Sequence, residues 1–222
     1  MLWFAYLLAT SMIAYFIYVK HTSPQRVAFF KTLASMSFVM LACWTFTLGN
    51  DQEYMEIMMI GLILGALGDF FLALPDCYPK KKDIFFLLGL ISFLVGHLCY
   101  AIALFEADVK MTIVLGVGCT IIGVGFILFL KRVGVDFEKM SLPSTLYAIV
   151  ILFMESLALL YFKTGFTSFT ILLNIGTFAF LLSDIVLVFI LFGKKETRNM
   201  IVLNWTLYYF AQMSLLSTFL VR

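Results

Sequence analysis

The chain has 222 residues, 63% of them hydrophobic and only 13% charged, with a formal net charge of +2 at pH 7; its mean hydropathy is +1.05. Soluble domains carry roughly a quarter charged residues, so this composition belongs to the helical membrane class. The basic residues are spread over short loops and form no patch or stripe, which argues against a nucleic-acid partner. Cys43, Cys77, Cys99 and Cys119 show no CxxC spacing, and at least Cys43, Cys99 and Cys119 fall inside apolar runs, as free buried thiols do.

The first apolar run starts at Leu2 with no basic segment before it and no small-x-small cleavage site ahead of Lys20. It is expected to be retained as a span rather than removed as a signal peptide. Apolar runs of about 18 residues or more cross a hydrocarbon core of ~30 Å. Read to the nearest charge, turn or proline, they predict spans at about 2–19, 31–48, 56–74, 84–105, 111–130, 144–162, 167–192 and 200–221. Breakers punctuate the connections: Pro24, Gly49-Asn50, Pro75 and Pro79, Gly134, Pro143, Gly165 and Gly193. No linker, low-complexity tract or internal repeat divides the chain. The expected fold is all-α: a polytopic membrane protein with eight transmembrane helices in one bundle, a single domain over residues 1–222.

Lys and Arg alternate between successive loops. The first, third, fifth and seventh hold Lys20, Arg26 and Lys31; Lys80, Lys81 and Lys82; Lys131, Arg132 and Lys139; and Lys194, Lys195 and Arg198. The other side holds only Lys110, Lys163 and Arg222, a split of twelve against three. The positive-inside rule then makes the odd loops cytoplasmic and both termini non-cytoplasmic.

Against this apolar background Asp69, His97, Glu155 and Asp184 lie deep inside the runs. An ionisable group in hydrocarbon is costly, so each is a candidate functional residue. Helix rise sets depth. Asp69 is six residues before Pro75 and Asp184 nine before Gly193, which puts both in the cytoplasmic halves of their spans, along with Lys31, Tyr147 and Tyr208. His97 and Glu155 fall nearer the midplane. The depths match a polar cavity open to the cytoplasm.

Periodicity adds direction. Gly61 and Gly65 repeat at four-residue spacing and Gly65 stands one turn before Asp69, so the acid shares a small-residue face that suits helix contact. His97 and Tyr100 are neighbours on one face, as are Tyr208 and Gln212, and Thr177 shares a face with Asp184. Each of these residues has a plain structural reading as well. The acids and the histidine can bond neighbouring helices, the tyrosines can mark the membrane boundary, Lys31 can be an anchor, and the glycines can be packing. What favours a site is the number of such groups at compatible depth.

Four segments, GALGDFFLAL (65–74), FLVGHLCYAIAL (93–104), FAFLLSDIVLVF (178–189) and LYYFAQ (207–212), resemble in order and spacing the signatures of the YhhN family of integral-membrane lysoplasmalogenases. The stretch from Tyr147 to Met154 and the Lys31-Thr32-Leu33 start of the second span are weaker marks of the same family. Its eukaryotic members are multi-pass proteins of the endoplasmic reticulum. Two positions depart: Thr32 stands where the family usually has proline, and Thr177 where it often has alanine. Glu155 corresponds to no family mark.

The resemblance implies hydrolysis of the vinyl ether of a lysoplasmalogen to a fatty aldehyde and glycerophosphoethanolamine or glycerophosphocholine, with a lysophospholipid substrate drawn from the membrane and no cofactor. Such chemistry starts with proton transfer to carbon and needs an acid that keeps its proton near neutral pH, as carboxyls withdrawn from water do. Asp69 and Asp184 are the candidate acid and stabilising carboxylate, in either order. His97 is the candidate assisting base, and Tyr100, Tyr147, Tyr208 and Gln212 are candidates to position water or headgroup. Lys31 is a candidate partner for the substrate phosphate.

Competing readings are a metal-dependent membrane hydrolase and a small proton-coupled transporter. With only His21 and His97 in the chain, a three-histidine zinc site is excluded; a mixed site of His97, Asp69 and Asp184 is the minor metal alternative, and no metal is expected. Paired broken helices from an inverted repeat would mark a transporter. A serine nucleophile lacks its G-x-S-x-G elbow, because Ser183 precedes an Asp within a helical run. The absence of an appended targeting element favours a bacterial plasma membrane over the endoplasmic reticulum.

Overall fold

The computed structural model describes residues 1–18, 23–105, 109–193 and 197–222. His21 and the expected loop cations Lys20, Lys194 and Lys195 lie outside the described residues. Among the described residues all regular structure is helical, in eight α-helices: α1 Leu2–Tyr18, α2 Pro24–Phe46, α3 Gln52–Ala73, α4 Lys82–Ala103, α5 Val109–Arg132, α6 Ser141–Leu160, α7 Ser168–Phe192 and α8 Arg198–Ser217.

Among the described residues six segments, Pro24–Phe46, Gln52–Ala73, Pro79–Ala103, Lys110–Arg132, Ser141–Thr164 and Ser168–Phe192, are long and apolar enough to cross a membrane. The chain is thus an all-helical, multi-pass integral membrane protein. Helix α1 is apolar but only 17 residues long, and α8 is diluted by Arg198, Asn199, Asn204, Thr206 and Gln212.

Local chemistry explains where the helices start and stop. Helix α2 begins seven residues before its expected start at Lys31 because Pro24 occupies the first turn, where its missing N–H is no loss and its fixed φ suits the helix. Pro143 likewise lies in the first turn of α6. The Asp51 side chain caps α3 by accepting from Tyr54 N at 3.2 Å. Helix α7 opens on a reciprocal box: Thr170 N donates to Thr167 Oγ1 at 3.2 Å, and Thr167 N donates to Thr170 Oγ1 at 2.9 Å. Helix α5 closes at Gly134, whose φ of +93° lets Gly134 N reach Lys131 O and Val135 N reach Leu130 O. Val135 then packs with Ile127, Leu130 and Phe137.

The chain divides into two compact units, Met1–Ala103 with Leu215–Arg222, and Leu104–Ser214. In the first unit α3 and α4 approach closely across glycine. A Cβ at Gly61 would fall on the Tyr100 ring, one at Gly68 would come within 2.7 Å of the Phe93 ring, and Gly96 faces the Gly61 carbonyl. The unit's C-terminal residues are tied in by polar contacts: Tyr54–Thr218 at 2.8 Å, Tyr6–Ser217 at 2.9 Å and an Arg222–Asp51 ion pair at 2.6 Å. In the second unit Gly123 of α5 packs on Ile149 of α6, and the Phe137 and Phe192 rings meet at 4.9 Å.

Polarity is inverted relative to a soluble protein. Large apolar side chains such as Ile60, Ile63, Leu67, Ile113, Val114, Ile121, Ile122 and Phe129 are exposed, whereas Ser35, Asp69, His97, Asn174, Thr177, Asp184 and Gln212 are buried. Lipid solvates the first group and cannot hydrogen-bond the second, which must therefore pair inside the protein.

These contacts predict opposite outcomes for two glycines. Gly61→Ala forces a methyl against a buried ring and should destabilise the detergent-solubilised protein by about 1–3 kcal/mol. Gly116→Ala adds its methyl where nothing lies within 4 Å and should stabilise by about 0.5–1 kcal/mol through helix propensity alone. Thermal unfolding of the two variants checks both signs.

Candidate functional site

In the first unit Asp69 is buried on α3 with both oxygens engaged from α2. Lys31 Nζ lies 3.1 Å from Oδ1, and Ser35 Oγ donates to Oδ2 at 2.6 Å. Lys31 and Ser35 are one helical turn apart on α2, so a single face delivers an ammonium and a hydroxyl to one carboxylate. The face expected to be shared by Gly61, Gly65 and Asp69 is thereby resolved into two directions: Gly61 meets Tyr100 of α4, and Asp69 turns towards α2.

His97 and Tyr100 are both buried on α4, with ring centroids 6.0 Å apart, edge to face. The Nδ1 of His97 lies 2.7 Å from the Phe93 carbonyl. A carbonyl only accepts, so Nδ1 carries a proton. Tyr100 is held against Gly61, and its ring is part of the α3–α4 packing.

In the second unit Tyr147 of α6 donates its phenol proton to Asp184 Oδ2 of α7 at 2.6 Å. The residue before Asp184 is also tied: Asn204 of α8 donates to Ser183 O at 2.7 Å and to Ser183 Oγ at 3.1 Å. Asp184 is therefore held between helices by bonds to itself and to its neighbour. Gln212 Nε2 donates to Tyr208 Oη at 3.2 Å along α8, and the Phe180 ring stands perpendicular to Tyr208 at 5.3 Å.

Glu155, which matched no motif, is buried on α6 and hydrogen-bonds Thr177 of α7. Thr177 thus answers Glu155, while sharing its helix face with Asp184.

The structure brings together Lys31, Ser35 and Asp69 in one unit, and Tyr147 with Asp184 and Tyr208 with Gln212 in the other. Ser35, Ser144 and Asn204 escaped sequence reasoning. Ser35 was findable as the residue four after Lys31, and Ser144, which is buried with no hydrogen-bond partner for Oγ among the described residues, as the residue three before Tyr147. Asn204 gave no local signal, because its partner lies on another helix.

The ion pair makes a prediction about stability. Lys31→Met leaves the Asp69 charge without its cation in an apolar unit and should cost about 3–5 kcal/mol, whereas Lys31→Met combined with Asp69→Leu should cost less than the two single changes summed. A double-mutant cycle by denaturant unfolding measures the coupling, and additive effects would refute a direct pair.

No curated protein and no solved structure gives a significant match to the chain. The YhhN family model matches residues 26–219, a span that includes Lys31, Asp69, His97, Tyr147, Asp184 and Gln212. By that match over most of its length, the chain belongs to the YhhN family.

Proposed function

We propose that the protein is a lysoplasmalogenase, hydrolysing the vinyl ether of a single-chain membrane phospholipid to a fatty aldehyde and a glycerophospho-alcohol. The observation that carries this reading is the state of Asp69 and Asp184. Both are carboxyls buried within membrane-crossing helices, each is bonded by a different donor, and each lies in a segment that resembles the family's signatures.

The two environments suggest a division of roles. Asp69, with Lys31 on one oxygen and Ser35 on the other, is the carboxylate. Asp184, which meets a neutral phenol, is the acid. Asp184 transfers a proton to the carbon of the double bond distal to oxygen, and the carbon attached to oxygen becomes an oxocarbenium ion. The Asp69 carboxylate stabilises that cation. Water adds to it and loses a proton to a base, the role proposed for His97. The resulting hemiacetal returns its hydroxyl proton to the Asp184 carboxylate and breaks its bond to the glycerol oxygen, which takes the proton held by the base, so that both groups are restored. One vinyl ether and one water thus give one aldehyde and one alcohol. Tyr147 orients the acid, and Tyr100, Tyr208 and Gln212 serve water and headgroup.

In this reading eight helices span the membrane, the odd-numbered loops are cytoplasmic and both termini are not. The substrate enters laterally with its headgroup on the cytoplasmic side. Tags at the two termini should then be reached by a membrane-impermeant label from the non-cytoplasmic side only, and labelling of either from the cytoplasm would overturn the topology.

The chemistry is tested with purified protein, a lysoplasmalogen and its saturated ether analogue. Aldehyde should appear from the first and not from the second. Asp184→Asn and Asp69→Asn, normalised to monodisperse protein, should each lower aldehyde release by about 10²–10⁴-fold, as loss of a proton-transferring group does, with a smaller loss for Tyr147→Phe. Full activity in either Asp variant would remove that residue from the mechanism.

A further inference from the structure

The seam between α6 and α7 carries a second polar cluster that the proposed chemistry does not use. The two helices run antiparallel in a register fixed by successive contacts: Tyr147 with Asp184, Glu155 with Thr177, the Ala158 carbonyl with Asn174 at 3.0 Å, and Tyr161 with Phe169 at 5.6 Å between ring centroids. Glu155 and Tyr147 are eight residues apart on α6, or about 12 Å of helix. The Glu155 cluster is thus a separate place on the seam, towards the segment that connects the two helices.

Its hydrogen-bond account does not close. Asn174 Nδ2 donates to Ala158 O and, at 2.8 Å, to Thr170 O. Both partners are carbonyls, so the amide orientation is fixed and Oδ1 is an acceptor. Thr177 has one hydroxyl proton, and it serves either Glu155 or the Asn174 carbonyl, 3.3 Å away. Glu155 Oε2 and Asn174 Oδ1 are both without a hydrogen-bond partner among the described residues. Both residues are more than nine-tenths buried, at 7% and 6% exposure, and Thr177 is fully buried. The cluster therefore gathers oxygen atoms within one helical turn on each side of an apolar seam, with two of them lacking a hydrogen-bond partner among the described residues. Buried acceptors left in this state cost free energy.

We propose that Glu155, Asn174 and Thr177 form a binding site for a small monovalent cation, with sodium the ion that fits the chemistry. The ligands are Glu155 Oε2, Asn174 Oδ1 and a lone pair of Thr177 Oγ1. All are hard oxygen donors, which suit alkali and alkaline-earth ions rather than soft metals. A single carboxylate neutralises a single positive charge, so a monovalent ion leaves the seam neutral within hydrocarbon. A divalent ion leaves it charged. Ion binding here clamps α6 to α7 one register step away from Tyr147 and Asp184.

Full-length protein in detergent is unfolded thermally in sodium chloride and in choline chloride at equal ionic strength. Sodium at ten-fold its dissociation constant should raise the wild-type midpoint by about 3–6 °C. Glu155→Gln keeps the side-chain shape and should abolish the difference, as should Thr177→Val. Binding of radiolabelled sodium to the wild type, close to one ion per chain and absent in Glu155→Gln, gives the same answer without depending on a variant's stability. An equal wild-type midpoint in the two salts, or a sodium response that persists in Glu155→Gln, overturns the site. The experiment does not involve lipid hydrolysis, so its result is independent of the proposed activity.

Discussion

Polar side chains that leave water inside a lipid-solvated protein must find partners in it, and in the first unit this constraint falls on Asp69. Its carboxylate takes Lys31 at 3.1 Å and Ser35 at 2.6 Å, both from α2. Breaking such a pair strands a buried charge, so α2 and α3 are tied in rotation and in depth. The opposite tie is steric: glycines at 61 and 68 on α3 receive the rings of Tyr100 and Phe93 from α4. Helix α3 is thereby fixed by charge on one side and by the absence of side chains on another. His97, a turn from Tyr100, takes its position from the same glycine-mediated contact.

The second unit is organised by a ladder of single hydrogen bonds. Helices α6 and α7 exchange a phenol–carboxylate contact, a carboxyl–hydroxyl contact and an amide–carbonyl contact in antiparallel order. Each rung satisfies a group that lipid cannot, and together they set the register more narrowly than apolar packing does, since leucine and isoleucine tolerate sliding. Asn204 extends the ladder to α8 through Ser183. The half-turn of α7 that carries Asp184 is thus bonded on both flanking helices.

How far the sequence revealed this depends on whether a feature was local. Helix number and type were legible from apolar runs, and the shared faces of Tyr208 with Gln212 and of His97 with Tyr100 followed from helical spacing. Helix starts were read too late where a charge or proline was taken as a boundary. Lys31 lies well inside α2 because Asp69 supplies its counter-charge, and Pro143 lies inside α6 because the first turn needs no N–H there. Glu155 had no account in sequence terms, since its partner Thr177 is 22 positions away on another helix. Ser35 was within reach of the four-residue rule, but a serine in an apolar helix usually bonds its own backbone, and Ser35 does this too, to Lys31 O at 3.1 Å.

Asp69 and Asp184 are the same residue type in helices of similar composition, and nothing local to either tells them apart. The difference comes from the helix next door. Across α2 the neighbour is an ammonium, whose positive charge faces the carboxyl directly. Across α6 it is the neutral phenol of Tyr147, which can hydrogen-bond a carboxyl in either protonation state. The proposed vinyl ether hydrolysis uses one carboxyl of each kind. Under that proposal, exchanging their partners, an ammonium beside Asp184 and a phenol beside Asp69, would exchange the roles proposed for the two carboxyls without altering either aspartate.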